Sequence, residues 1–162
     1  MLLDKSIKVG INFWITSGII TTLGLMVGLL SGTHSKLAVI GGVLTIAIAD
    51  AMSDSLGIHI SQEWSGKTQK EVRKATIATF LAKFLFALTF MVPVLLIPNL
   101  FSAVVVSAIW WLLALGYLSY TIAKSSREEP IKVIREHIMI AILVIIVTYS
   151  TGILIDKIFV VS

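Results

Sequence analysis

The sequence predicts an all-α, polytopic membrane protein, and two observations support that prediction. Of its 162 residues, 57% are hydrophobic and 14% are charged, whereas soluble proteins average about 45–50% and about 25%. The mean hydropathy is +0.98, and apolar stretches long enough to cross a bilayer follow one another along the chain. This composition excludes a disordered chain, a coiled coil and a collagen-like fibre. The absence of cysteine excludes a disulfide-stabilised scaffold and thiol chemistry.

Five stretches have the length of a transmembrane helix, which needs about 20 residues to cross a hydrocarbon core about 30 Å thick. They are predicted at residues 9–30, 37–60, 76–97, 102–123 and 137–155. The first stretch is too long for the apolar region of a signal peptide, so it is predicted to remain as the first span. No room is left for a second domain, and residues 1–162 are expected to form a single transmembrane domain.

The basic residues are distributed unequally between the predicted loops, which indicates the orientation of the chain. Only Lys36 and Lys157 lie on one side, so the rule that cytoplasmic loops are positive predicts a cytoplasmic N-terminus and an outer C-terminus. This placement explains the net charge of +4 without a nucleic-acid partner. Ten basic residues lie on the predicted cytoplasmic side: Lys5, Lys8, Lys67, Lys70, Arg73, Lys74, Lys124, Arg127, Lys132 and Arg135.

Lys83 is the remaining basic residue, and it lies inside the third predicted span. Its long side chain could extend to the cytoplasmic interface, or it could pair with a buried acid. Extension to the interface is the favoured interpretation.

The predicted loops have residues typical of helix ends. Ser126 and Glu129 have the spacing of a capping box, and Pro130 suits the first turn of the helix that leads into the fifth span. The uncharged turn at residues 97–100 predicts a tight antiparallel hairpin between spans three and four.

Small and aromatic residues in the spans are assigned mainly to packing. Gly24, Gly28 and Gly32 are four residues apart, a pattern that lets helix backbones approach closely. Trp110 and Trp111 are expected to face lipid or the membrane interface.

Two acids in the second span are the strongest functional signal. Asp50 and Asp54 are four residues apart and therefore share one face of a helix. An acid at the bilayer centre costs about 2.5–3.5 kcal/mol, so two are not expected to be incidental. With the oxygen of Ser53 beside them, they suit hard divalent cations such as Mn²⁺, Mg²⁺ or Ca²⁺, and Fe²⁺ is also admissible. One chain offers few ligands, which predicts that a second copy contributes.

Other interpretations of these residues remain open. The two acids could be neutralised by protonation or by Lys83 and could simply hold the helices in register. Acids four apart could also hold Mg²⁺ for phosphoryl transfer on a lipid, but such enzymes need more acids and a basic phosphate clamp, so an enzyme is not expected. Met52 and His59 lie on the other side of the helix and are interpreted as packing or interface residues.

At these residues the chain resembles the vacuolar iron transporter family. The stretch Ser-Gly-Ile-Ile-Thr-Thr-Leu-Gly-Leu-Met-Val-Gly at residues 17–28 is similar to the first-helix signature of that family. The stretch Ala-Met-Ser-Asp-Ser-Leu-Gly-Ile-His-Ile-Ser at residues 51–61 is similar to its second-helix signature. The resemblance implies a homodimeric, proton-coupled transporter of Fe²⁺ or Mn²⁺ whose metal path runs between helices one and two at the dimer interface.

The chain also departs from the family pattern. The first-helix Asp of the family falls on Ser17, and its second-helix Met, Glu and Tyr fall on Asp54, Ile58 and His59. An aspartate in place of a thioether predicts a preference for Mn²⁺ over Fe²⁺. The cytoplasmic metal-binding helices of the family correspond here only to residues 61–75, whose acids are Glu63 and Glu71.

The combined expectation is a divalent metal cation transporter in the lipid bilayer, with no permanently bound cofactor. A prokaryotic plasma membrane is the expected location, because few residues precede the first span. The alternative is a transport-inactive accessory or interaction protein of the same fold, since two family acids are missing. The predicted metal ligands are Asp50, Asp54, Ser53, Ser17, Thr21 and Glu63.

Overall fold

The computed structural model describes the backbone of residues 5–159 and the side chains of residues 17–159. The side chains of Lys5 and Lys8, and the two ends of the predicted domain, lie outside the described residues. The part of the chain that is described contains helices and no strands, which confirms the all-α class. The helices are α1 (Lys5–Thr33), α2 (Lys36–Trp64), α3 (Gln69–Leu88), α4 (Met91–Leu96), α5 (Leu100–Ser126) and α6 (Pro130–Phe159).

Four helical segments are long and apolar enough to cross a membrane. They are α2, α3 together with α4, α5 and α6. The described side chains of α1 form a shorter apolar segment, Ser17–Thr33, within a helix of 29 residues. The chain is therefore compatible with an integral membrane protein, and the first span stays a prediction.

Membrane-length segments that follow one another in the sequence pack antiparallel, with α3 and α4 counted as one segment. Across such a pair, residue numbers rise on one helix as they fall on the other. The α1 helix and the α6 helix are parallel, because Gly24 lies beside Thr148 and Gly32 lies beside Gly152. The antiparallel contacts are Thr21 with Asp50, Lys83 with Asp54, Phe90 with Ser107, and Ser119 with His137.

Glycines form the contact between α1 and α6. The backbone of Gly32 lies so close to that of Gly152 that a Cβ atom on Gly32 would be 3.2 Å from the Gly152 Cα. A Cβ atom on Gly152 would be 2.5 Å from the carbonyl oxygen of Gly28 and would also collide with Ser31 Oγ. The row of glycines in the first helix therefore serves helix packing, as its spacing predicts.

The third predicted span is divided into two helices, α3 and α4. Proline has no backbone N–H, and its ring displaces the carbonyl group four residues earlier, which here belongs to Thr89. The N–H of Val92 instead donates to the Thr89 carbonyl at 3.3 Å, and the N–H of Phe90 donates to Ala87 at 3.1 Å. Pro93 thus explains a break that the prediction of one continuous helix over 76–97 missed.

The helix ends differ in part from the predicted ones. A capping box is present at the start of α3, where Thr68 accepts from the Glu71 N–H and the Glu71 carboxylate accepts from the Thr68 N–H. The capping box predicted at residues 126–129 is wrong, because Ser126 is the last residue of α5 and Arg127 ends that helix with a φ of 59°. The α6 helix does begin at Pro130, as predicted.

An aromatic cluster fills the space between α3, α4 and α5. Trp111 is 3% exposed, and it stacks on Phe90 with ring centroids 4.2 Å apart and meets Phe86 edge-on at 4.4 Å. The prediction that Trp111 faces lipid is therefore wrong, whereas Trp110 is 62% exposed as expected. Adjacent residues of a helix point about 100° apart, so the two neighbouring tryptophans can face different surroundings.

Candidate functional site

Lys83 is buried in the middle of the helix bundle. Its side chain is 2% exposed, and it lies on α3 far from the start of that helix at Gln69. Its ammonium group is 2.9 Å from Oδ2 of Asp50 and also contacts Oδ2 of Asp54. The interpretation that Lys83 extends to the cytoplasmic interface is therefore wrong, and the alternative of pairing with buried acids is confirmed.

The depth of the two acids explains this pairing. Asp50 is the middle residue of the 29-residue helix α2, so either end of that helix is about 20 Å away at a rise of about 1.5 Å per residue. Asp54 lies one turn further along the same face. Lys83 reaches two carboxylates that lie at the same level of the bundle, whereas the helix ends, where a membrane interface would lie, are several turns away.

Thr21 of α1 completes the contact on Asp50. Its Oγ1 lies 3.0 Å from Asp50 Oδ2 and 3.0 Å from the Ser17 carbonyl oxygen. A hydroxyl group has one proton and can donate to one of these acceptors at a time. Donation to the carboxylate is the stronger of the two hydrogen bonds, because its acceptor is charged.

Glycine at position 18 makes room for the lysine side chain. A Cβ atom at Gly18 would be 3.4 Å from Lys83 Cε, so the backbone of α1 lies directly against the aliphatic part of this side chain. Lys83 is thus enclosed by α1 on one side and by the acids of α2 on the other. We refer to Asp50, Asp54 and Lys83 as the Asp–Lys cluster.

The Asp–Lys cluster is open on one side. Lys83 and Thr21 contact only the Oδ2 atoms, and no hydrogen bond or ion pair between described side chains reaches either Oδ1 atom. The side chains of Asp50 and Asp54 are each 17% exposed, and Thr21 beside them is exposed. Within the described part of the chain, the carboxylates are therefore partly accessible next to the exposed Thr21.

The Asp–Lys cluster contains two acids and one base. With both carboxylates ionised and the amine protonated, its net charge would be −1. Charges in a low-dielectric environment interact strongly and are costly unless they are balanced. In that charge state, one negative charge of the Asp–Lys cluster would be left without a partner among the described side chains.

The other predicted ligands lie at different distances from the Asp–Lys cluster. Ser17 is half-buried and reaches it only through its carbonyl group, which is near Thr21. Ser53 is exposed and lines a surface groove between α2 and α3. Glu63 lies more than two turns away, where it accepts from Gln69 at 3.2 Å and faces His59 Nε2 at 3.4 Å.

The groove between α2 and α3 has a volume of about 490 Å³, and it is lined by Met52, Ser53 and His59 among others. Met52 is 58% exposed, and His59 Nδ1 is 3.0 Å from Thr76 Oγ1. The Thr76 hydroxyl also lies 2.9 Å from the Val72 carbonyl oxygen, and which of the two acceptors it donates to depends on the tautomer of His59. His59 therefore connects α2 to α3, in agreement with its interpretation as a packing residue.

Within the described residues, no group of three or more His, Asp or Glu side chains is close enough to bind a metal ion. The two carboxylates of one chain therefore do not make a complete coordination shell for a hard divalent cation, which takes six or more oxygen ligands. Additional ligands would have to come from water, from Thr21 or from another chain.

Comparisons of the chain with known protein families, with curated proteins and with solved structures find no match. The resemblance to the vacuolar iron transporter family rests on the two helix motifs alone and stays a prediction.

The position of Lys83 could have been inferred from a signal that the sequence contains. Thr68 and Glu71 have capping-box spacing, and they place the start of α3 at Gln69, two turns before the predicted start of the third span. Counting from Gln69 moves Lys83 to the depth of Asp50 and makes their pairing the expected arrangement.

Proposed function

We propose that this chain is a secondary transporter of a divalent metal cation, Mn²⁺ or Fe²⁺, and that the Asp–Lys cluster is its cation site. The observation that supports this function is the pair of carboxylates of Asp50 and Asp54, which share one basic partner and are partly exposed in the middle of a long apolar helix. Ionisable groups at such depth typically mark ion paths or proton relays. The all-oxygen ligand set favours Mn²⁺ over Fe²⁺.

We propose five spans with a cytoplasmic N-terminus and an outer C-terminus. Successive helices pack antiparallel, and α1 runs parallel to α6, which is the relation expected between the first and fifth of five alternating crossings. The basic residues of the loops before α3 and around the start of α6 support the orientation.

We further propose a homodimer with α1 and α2 at its interface. A second copy would cover the open side of the Asp–Lys cluster and would bring two more carboxylates toward a shared cation. Small exposed residues form a continuous row on α2 beside the acids, and they would allow close approach of a second helix. This row consists of Gly41, Thr45, Ala49, Ser53 and Gly57.

In this proposal, the outward-facing carboxylate oxygens replace part of the hydration shell of the cation, and the Thr21 hydroxyl positions Asp50. The resemblance to the iron transporter family implies that a proton gradient drives the exchange. The metal is cargo, and the protein needs no resident cofactor.

Transport measurements on purified protein in proteoliposomes test the proposal. With an imposed pH gradient, the native chain is expected to take up Mn²⁺ and Fe²⁺, and a double Asp50→Asn, Asp54→Asn variant is expected to lose at least about 90% of that uptake, because the amides keep the shape but remove the charge. Asp156→Asn is the matched control, since Asp156 lies near His34 at one end of the bundle, away from the Asp–Lys cluster. Its uptake should equal that of the native chain.

A second candidate function is a transport-inactive membrane protein in which the Asp–Lys cluster holds α1, α2 and α3 together. The contacts of Lys83 with both acids, and of Thr21 with Asp50, favour it. In that case the native chain would move neither ion under either gradient direction, and the double variant would differ from it only in thermal stability.

A further inference from the structure

We propose that Lys83 is a tethered cation that competes with the transported metal ion for the Asp–Lys cluster, so that the metal is bound weakly enough to be released. This inference rests on the proposed transport function and adds a specificity-determining residue to it.

The geometry holds the ammonium group of Lys83 at the carboxylates. The side chain is 2% exposed, so the ammonium group is almost fully enclosed by protein. The Gly18 backbone lies against its aliphatic part, and both Oδ2 atoms contact its Nζ. A cation that approaches from the open side finds the inner oxygens already occupied by a positive charge.

The charge count gives the direction of the effect. With Lys83 in place the Asp–Lys cluster has a net charge of −1, and a divalent cation would change it to +1. Without Lys83 the net charge would be −2, and the same cation would neutralise it. Repulsion between two positive charges on the same carboxylates weakens metal binding by at least about 10-fold, even when the effective dielectric constant is about 20.

Weak binding has a functional consequence for a transporter. A site along an ion path must be favourable enough to be entered and weak enough to be left. Two carboxylates without a counter-charge would retain a divalent cation, so the lysine favours turnover over affinity.

The test compares Mn²⁺ binding and Mn²⁺ uptake in the native chain and in Lys83→Met, which has a similar length and no charge. Binding is measured in detergent at one fixed pH from the electron paramagnetic resonance signal of free Mn²⁺. We expect the variant to bind Mn²⁺ at least about 10-fold more tightly, and to reach a lower maximal uptake rate at saturating Mn²⁺. Equal or weaker binding by Lys83→Met would overturn the inference, because a purely structural lysine would not oppose the metal.

Two unbalanced carboxylates could prevent the Lys83→Met variant from folding. The same comparison is therefore made between Asp54→Asn and the double variant Asp54→Asn, Lys83→Met, which differ only at residue 83 and retain a single acid of the Asp–Lys cluster. Tighter Mn²⁺ binding by the double variant supports the inference, and equal or weaker binding contradicts it.

The uptake measurements separate this inference from the proposed function. If the native chain shows no uptake of Mn²⁺, the transport function fails, whichever of the native chain and the Lys83 variant binds Mn²⁺ more tightly. If the native chain transports Mn²⁺ and removal of Lys83 leaves the affinity unchanged, the transport function stands and the role of Lys83 fails.

Discussion

At the residue scale, Thr21 allows the contribution of one hydrogen bond at the Asp–Lys cluster to be measured. Its hydroxyl lies 3.0 Å from Asp50 Oδ2, and a hydrogen bond to a charged acceptor is worth about 1.5–3 kcal/mol. Thr21→Val keeps the shape and removes the donor, so we expect a roughly 10-fold higher Mn²⁺ concentration for half-maximal uptake. Thr21→Ser keeps the donor and should resemble the native chain. If all three proteins need the same Mn²⁺ concentration for half-maximal uptake, the Thr21 hydroxyl does not contribute to Mn²⁺ binding.

Single residues also show where sequence reasoning stopped. The spacing of Asp50 and Asp54 predicted their shared face, but the partner of a buried charge depends on which helices meet, and that is a tertiary property. The same limit applies to Trp111, whose indole Nε1 is buried without a hydrogen-bond partner among the described groups. An amphipathic ring next to a second tryptophan gives no signal in the sequence that distinguishes core from lipid.

At the element scale, the contact between α1 and α6 should tolerate no side chain at position 152. Gly152→Ala would place a Cβ atom 2.5 Å from the Gly28 carbonyl oxygen, and overpacking of this kind costs about 1–3 kcal/mol. We expect a lower midpoint of thermal unfolding in detergent. Gly116→Ala is the control, because a Cβ atom at Gly116 meets nothing within 4 Å and alanine favours the helix by about 1 kcal/mol. Equal destabilisation by both substitutions would contradict the close packing.

The elements themselves were largely predictable. Each long apolar stretch in the sequence corresponds to a long helix, and most of the predicted helix ends are within a few residues of the observed ones. The prediction works because a backbone in lipid must satisfy its own hydrogen bonds, which a helix does. The break before α4 was missed because prolines are tolerated inside membrane helices, so Pro93 alone did not predict whether the helix bends or stops.

At the scale of the whole molecule, the proposed dimer can be tested by disulfide cross-linking, because the native chain contains no cysteine. Ala49 lies in the middle of the exposed row of small residues on α2, so two Ala49→Cys chains should form a covalent dimer on mild oxidation in the membrane. Leu143→Cys on α6, where Leu143 is 60% exposed, is the control and should stay monomeric. Cross-linking of the control alone would place the interface on α6.

The parallel contact between α1 and α6 has a consequence for how the protein is made. A ribosome produces the first helix long before the last, so the glycines of α1 must wait for their partner until synthesis is nearly complete. The intervening helices are inserted in the meantime, and the bundle closes only when Gly152 meets Gly32. A nascent chain that stops before α6 would therefore be an incomplete fold and a substrate for membrane quality control. By the same reasoning, α6 supplied as a separate polypeptide should complete the fold of a chain that ends before α6.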